Sequence, residues 1–335
     1  MKVFLKNKLV IFLLSLVMIA SIIPAFSIES KAATGVDDFV TRCYRVAFQR
    51  TPDPGGFEFW KAKINDGKLV GSTVVYEFIF SKEYIAQSRT DKEFVNDLYT
   101  MFMGRVADQE GYNYWCGKIN EGMSREEVFA GFANSVEFYE ICYGYGITAG
   151  YYSNDYDIGQ VNNINLFVER LYKTCLGRLG DREGQNYWVE GMLTGKLSGT
   201  DCAANYIKSA EYESLGLSDE QYVENLYTAF MGRESDEAGK NGWVGQLNTN
   251  ALSRDQVFEG FANSPEFKGI CSGYGIVSGE YHAKDCYIVN KNNGKLHYYT
   301  CSSLPLERNR IYFPTKQSAN NAGYTDEHRE CMQGK

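Results

Sequence analysis

Four residues near the C-terminus have the types and spacing for metal chemistry: His297-x3-Cys301, then 26 residues, then His328-x2-Cys331. Two imidazoles and two thiols in tight pairs suit a tetrahedral site, and Zn(2+) takes such nitrogen and sulfur donors. All three histidines of the chain lie beyond residue 281, so imidazole chemistry is confined to this end. A rival pair, His282-x3-Cys286, could displace His297 and Cys301 or complete a different set. A disulfide between two of Cys286, Cys301 and Cys331, with no metal, is a further alternative. His282 itself reads as a surface side chain.

The elements that must position these ligands are legible around them. "CYIVNKNNGKLHYY" reads as a hairpin turning at Asn293-Gly294. "NRIYF" reads as a strand, and "TKQSANNAG" as a short helix capped by Thr315 and ended at Gly323. Residues 281–335 thus form a small α+β zinc-binding domain whose core is modest, and a metal would supply what the core lacks.

This segment resembles the zinc-binding domain of the Ada methyltransferase type, on "CYIVNKNNGKLHYYTCSS" and "NRIYF...AGY". The resemblance implies ligand roles for His297, Cys301, His328 and Cys331. In the DNA-repair relatives the first ligand is the methyl-accepting cysteine. His297 stands there in this chain and cannot act as a thiolate acceptor, so DNA repair is not implied. "GYTDEHREC" also departs from the relatives' pattern, its loop being one residue longer before the last pair.

Upstream, one frame recurs four times: "RTPDPGGFEFW" from Arg50, "RVADQEGYNYW" from Arg105, "RLGDREGQNYW" from Arg178 and "RESDEAGKNGW" from Arg233. The four Trp of the chain are the last residues of these four stretches. Phe39, Phe94, Phe167 and Tyr222 each precede their Trp by 21 residues, and successive copies are 55, 73 and 55 residues apart. The units therefore run A-B-A-B, as a duplicated pair. Apolar spacing predicts a helix through Phe94, Leu98 and Phe102. Arg105 falls in its last turn, near the negative end of the helix dipole. Asp108 reads as the N-cap of the next helix, as Asp53 does before Pro54. Gly111 and Trp115 share a face of that helix, where Gly would let a neighbouring backbone pass beneath the indole. Ser124 with Glu127 forms a capping box. "SKEY", "SVEF", "SAEY" and "SPEF" read as Ser-capped short helices with Glu in the first turn.

Calcium needs six to eight oxygens, whereas "RVADQEG" offers one or two carboxylates beside an Arg. Catalysis uses a particular constellation once per domain, and none of the four copies carries a His. The frame is therefore read as a helix–turn–helix joint. "FVNDLYTMFMGRVADQEGYNYW...FANSVEF" resembles the repeat called domain of unknown function 4214, found in bacterial exported proteins. More distantly it resembles the phycobilisome linker domain. The resemblance implies a helical fold and scaffolding, and no known reaction.

The N-terminus reads as an export signal over residues 1–32, with Lys2, Lys6 and Lys8, an apolar stretch from Leu9, and small residues before a cut after Ala32. The expected organisation is mainly α: a signal at 1–32, helical repeat pairs at 33–155 and 156–280, and the zinc domain at 281–335. Asp and Glu outnumber Lys and Arg by 42 to 34, which argues against nucleic acid as a partner. No later stretch is apolar enough to span a bilayer. Cys43, Cys175 and Cys202 align with apolar residues of other copies and read as buried thiols. The function expected is an exported, non-enzymatic scaffold or surface-binding protein with an extracellular protein, peptide or glycan partner. The alternatives are a secreted hydrolase and a metal-sequestering protein.

Overall fold

The structure, a computed structural model, describes residues 35–333. The expected export signal lies outside these residues. The described chain is mainly helical and ends in a small three-stranded sheet. No helix among the described residues is long and apolar enough to cross a membrane.

Each repeat uses the same series of helices. The first repeat has α1 (35–48), α2 (Pro54–Asn65), α3 (Gly71–Ile79) and α4 (Lys82–Ile85). The second has α5 (Asp91–Leu98), α6 (Gln109–Asn120), α7 (Arg125–Ala133) and α8 (Val136–Tyr145). The third has α9 (Ile158–Leu176), α10 (Arg182–Leu193), α11 (Gly199–Ile207) and α12 (Ala210–Glu213). The fourth has α13 (Asp219–Leu226), α14 (Glu237–Asn248), α15 (Arg254–Ala262) and α16 (Pro265–Gly273). By packing, the described residues divide into two compact units: 35–169 with Leu179–Val189, and Arg170–Arg178 with 190–333.

Side-chain caps start most of these helices, as the sequence dictates. Asp53, Asp108, Asp181 and Asp236 each accept the N–H three residues on, at 2.8 Å. Ser81, Ser135, Ser209 and Ser264 do the same for the short helices at 3.1–3.2 Å. The Ser124–Glu127 box is complete in both directions.

α3 has no side-chain cap, and at α11 a second device is added to the Ser198–Asp201 box. The Gly71 and Ser72 N–H groups at the start of α3 donate to the carbonyls of Thr148 and Ala149, both at 2.8 Å. Gly199 and Thr200 of α11 donate in the same way to Val277 and Ser278. The segment leaving a B repeat thus satisfies the free amides of its A partner.

Phe94, Leu98 and Phe102 are all buried, as their spacing predicts, but the helix does not continue regularly. Tyr99–Met103 is a π turn, and so is Tyr227–Met231. A wide turn breaks the regular carbonyl pairing, and an arginine uses the gap. Arg42 Nε donates to the Met101 carbonyl and Arg170 Nε to that of Ala229, both at 3.0 Å. Gly104 and Gly232 close the turns with φ of 66° and 65°, which favours glycine.

Seven of the nine cysteines are buried, Cys116 and Cys331 are half-buried, and none of the nine is in a disulfide. Cys43, Cys142, Cys175, Cys202 and Cys271 pack as small apolar residues in the helical cores. Burial raises their thiols, Cys43 to about 12, which leaves them unreactive.

Candidate metal centre

The tail is built on an antiparallel sheet in the order β2-β1-β3, with β1 Tyr287–Asn290, β2 Leu296–Tyr298 and β3 Arg310–Phe313. β1 and β2 turn at Asn293-Gly294, where Gly294 has a φ of 70°. α17 (Lys316–Asn321) is capped by Thr315 and packs over β1 and β3. On one face of the sheet Val289, Leu296, Ala319 and Met332 form a small buried cluster with partly buried aromatics around it, while Cys286 and Ile288 are buried outside it.

His297 projects from β2 and is buried. Cys301 follows in a tight turn, its N–H bonded to the Tyr298 carbonyl at 2.9 Å. The chain returns alongside β2, where the His328 N–H donates to the Leu296 carbonyl at 2.8 Å. Cys331 lies three residues on, in the short helix α18 (Arg329–Met332). Separate elements thus deliver the two pairs to one point, and all four donor atoms lie within 4.8 Å of one another.

The four sulfur–nitrogen separations are close to the edges of a tetrahedral site. Cys301 Sγ is 3.4 Å from His297 Nδ1 and 3.6 Å from His328 Nδ1. Cys331 Sγ is 4.0 Å and 3.5 Å from the same two nitrogens. Zinc bonds of about 2.3 Å to sulfur and about 2.0–2.1 Å to nitrogen give a sulfur–nitrogen edge of about 3.6 Å. Coordination through Nδ1 requires each ring proton on Nε2, a detail that spacing alone does not reveal. The Tyr298 N–H donates to Cys331 Sγ at 3.4 Å, an outer contact that suits a thiolate.

The electrostatics also favour binding. Burial, then the neighbouring His328 and Lys295, lower the His297 pKa, so its ring is neutral and its lone pair free. Burial raises the Cys331 thiol, although the Tyr298 N–H pulls the other way. A bound cation would be what holds the sulfur as thiolate.

This is the one convergent group of three or more His, Cys, Asp or Glu donors among the described residues. The rival pair is not part of it. His282 is also not the free surface side chain expected. Its Nδ1 is 3.2 Å from Glu259, and its ring stacks on Tyr312 at 3.4 Å and 5°. Glu259 belongs to α15 and Tyr312 to β3, so His282 joins the tail to the last repeat. Cys286 is buried, and burial lifts its thiol to about 12.

The repeated frame, by contrast, is consumed in packing. Arg105 is not chiefly a dipole partner, because it clamps Glu137 of "SVEF" at 2.7 and 2.9 Å. Arg50–Glu83, Arg178–Glu211 and Arg233–Glu266 repeat the pair at 3.4, 2.9 and 2.9 Å. Each arginine also lies over a tyrosine of the preceding helix: Tyr44, Tyr99, Tyr172 and Tyr227, at 4.9–5.1 Å.

The role expected for Gly111 needs correcting. No backbone passes over it. The Tyr99 hydroxyl occupies the space, and a Cβ there would lie 2.0 Å from it. Trp115 instead covers Gly131 of α7, where a Cβ would meet the indole at 2.2 Å. Burial raises the Tyr99, Tyr44 and Tyr227 hydroxyls, against a smaller downward pull from the indoles of Trp115, Trp60 and Trp243. Of the four Trp, only Trp188 is fully buried; the other three are half-buried.

The fold and site together define a helical repeat protein with a separate cluster of metal-ligand type. Residues 23–88, 75–142, 153–215 and 203–271 each match the family described as Domain of unknown function (DUF4214). The matches cover well over half of the chain, which therefore belongs to that family. No curated protein matches it.

Proposed function

We propose that the chain is an exported, non-enzymatic repeat protein, secreted or held at the cell envelope, whose tail folds around one structural zinc ion. The convergence of four nitrogen and sulfur donors at tetrahedral edge lengths carries the zinc reading. The ligand pairs sit on different elements beside a small buried cluster, so a metal would add to the tail's stability by clamping them. The Ada-type assignment of the module rests on its sequence. The non-enzymatic reading is supported by the frame, whose Arg, Asp, Gly and Trp all serve packing. The export reading rests on the basic and apolar N-terminal pattern and the small residues before Ala33.

Mass spectrometry of protein recovered from the culture medium tests these parts together. Denatured, the chain should begin near Ala33; under native conditions it should carry one zinc. Cys301→Ser should lose the metal, while His282→Ala should keep it. Acid should release it, because protons compete for thiolate and imidazole. A chain retained in the cytoplasm with Met1 intact would reject export. A metal-free native mass, or zinc that survives Cys301→Ser but not His282→Ala, would reject the site.

A further inference from the structure

Each repeat pair has a cleft at the same place, between the last helices of its A repeat and the first and third helices of its B repeat. In the first pair it measures about 310 Å³ and in the second about 420 Å³, within the usual range for small-ligand sites. The two clefts share an arginine anchored alike. Arg125 holds Asp91 at 2.7 Å and the Arg89 carbonyl at 2.6 Å. Arg254 holds Asp219 at 2.7 Å and the Leu217 carbonyl at 2.6 Å.

Their other linings differ in kind. Phe80, Ile85 and Phe94 of the first cleft become Lys208, Glu213 and Tyr222 in the second. The second also gains Lys284 from the start of the tail, held in place by its backbone N–H on Asp255 at 2.6 Å. Lys208 pairs with Asp255 and the Tyr281 hydroxyl. The Glu213 carboxylate and Lys284 ammonium are exposed, with no protein partner among the described residues.

The second cleft is therefore electrically balanced. Asp255 offsets Lys208, Asp219 offsets Arg254, and Glu213 offsets Lys284. It presents hydrogen-bond donors and acceptors side by side above a floor of Ile207, Tyr212 and Tyr222. An anion would meet Glu213, and a cation would meet Lys284. A greasy segment would strand both charges without partners. A polyhydroxylated, uncharged ring suits all of these, since each hydroxyl both donates and accepts, and its C–H face can lie on an apolar floor.

We infer that the cleft of the second repeat pair binds a short segment of neutral carbohydrate. This rests on the exported-protein reading only for where the glycan is encountered. Loss of sugar binding would leave the processed N-terminus and the zinc content unchanged, so the two proposals fail separately.

Calorimetric titration of the full secreted chain with cellobiose, maltotriose and N,N′-diacetylchitobiose, and with digalacturonic acid as an anionic comparison, tests the inference. At least one neutral sugar should bind at one site per chain. Glu213→Ala and Lys284→Ala should each weaken it by about tenfold, the loss of one hydrogen bond to a charged group. Both side chains are exposed, so folding should persist, and an unchanged melting curve confirms it. Ile85→Ala, at the rim of the first cleft, should have no effect. Binding of digalacturonic acid alone, binding of none of the three neutral sugars, affinity unchanged in both charge variants, or loss of binding in Ile85→Ala would each overturn the inference.

Discussion

Replacing Gly111 by alanine should destabilise the second repeat by up to about 2 kcal/mol, although alanine is the better helix former. The new Cβ would lie 2.0 Å from the Tyr99 hydroxyl and 3.1 Å from its Cζ, so the hydroxyl must retreat by more than 1 Å. It has little room to do so. The ring meets Phe132 edge-on at 4.8 Å and carries Arg105 over its face at 5.1 Å. Overpacking of this kind costs about 1–3 kcal/mol, and about 1 kcal/mol returns from helix propensity. Tyr99→Phe removes the atom in conflict. In that background Gly111→Ala should stabilise by about 1 kcal/mol, giving a coupling of about 1–3 kcal/mol. Hydrogen exchange in urea, read on peptides from residues 91–133 in the four variants of the cycle, measures it. Zero coupling, or a Gly111→Ala protein more stable than the parent, would refute the argument that the glycine exists to seat the tyrosine. Unchanged stability with lost ligand binding would show that the joint is a site after all.

Trp188→Ala should cost about 3–5 kcal/mol as a buried deletion, and Trp115→Ala distinctly less because the indole is half-buried; urea midpoints should rank them in that order. Acid should weaken the fourth repeat through Glu224. The Ser235 hydroxyl, the Ser235 N–H and then Lys240 hold its carboxyl at about 2, against an ordinary value of 4.5. A depressed carboxyl contributes stability that is complete above its unfolded value and is lost as pH falls from about 4.5 towards about 2. Glu224→Gln should flatten that limb of the stability profile, and an identical acid limb in the variant would contradict the assignment.

What could be read from the sequence was what acts over a few residues. Asp and Ser caps, the Ser124–Glu127 box, the Asn293-Gly294 hairpin and the Thr315 helix start are fixed by spacings of two to four, and each is found where its residues place it. The four ligands were legible because their chemistry is rare and their pairs are tight. The link between Arg105 and Glu137 was not, since 32 residues separate them and each has a sufficient local explanation. The same holds for Gly111, whose partner Tyr99 belongs to the previous helix. The π turn at Tyr99–Met103 leaves no periodic trace, because Phe94, Leu98 and Phe102 satisfy an ordinary helix equally well. His282 carries only one ring on an unremarkable segment, and its two contacts come from α15 and β3.

The carbonyls of Thr148 and Ala149, resting on the first amides of α3, constrain how such a protein can change in length. The first A repeat cut away from its B neighbour would lose the carbonyls that cap α3, where Val70 offers no side-chain cap, whereas Ser198 would still cap α11 in the second. The exit of the B repeat is held from both sides, because Asn134 pairs with the Tyr152 backbone and Asn165 of α9 with that of Tyr151. Asn162 likewise bonds the Val70 N–H and the Lys68 carbonyl, so recombination that preserves these contacts must keep an A repeat, its B neighbour and the start of α9 together.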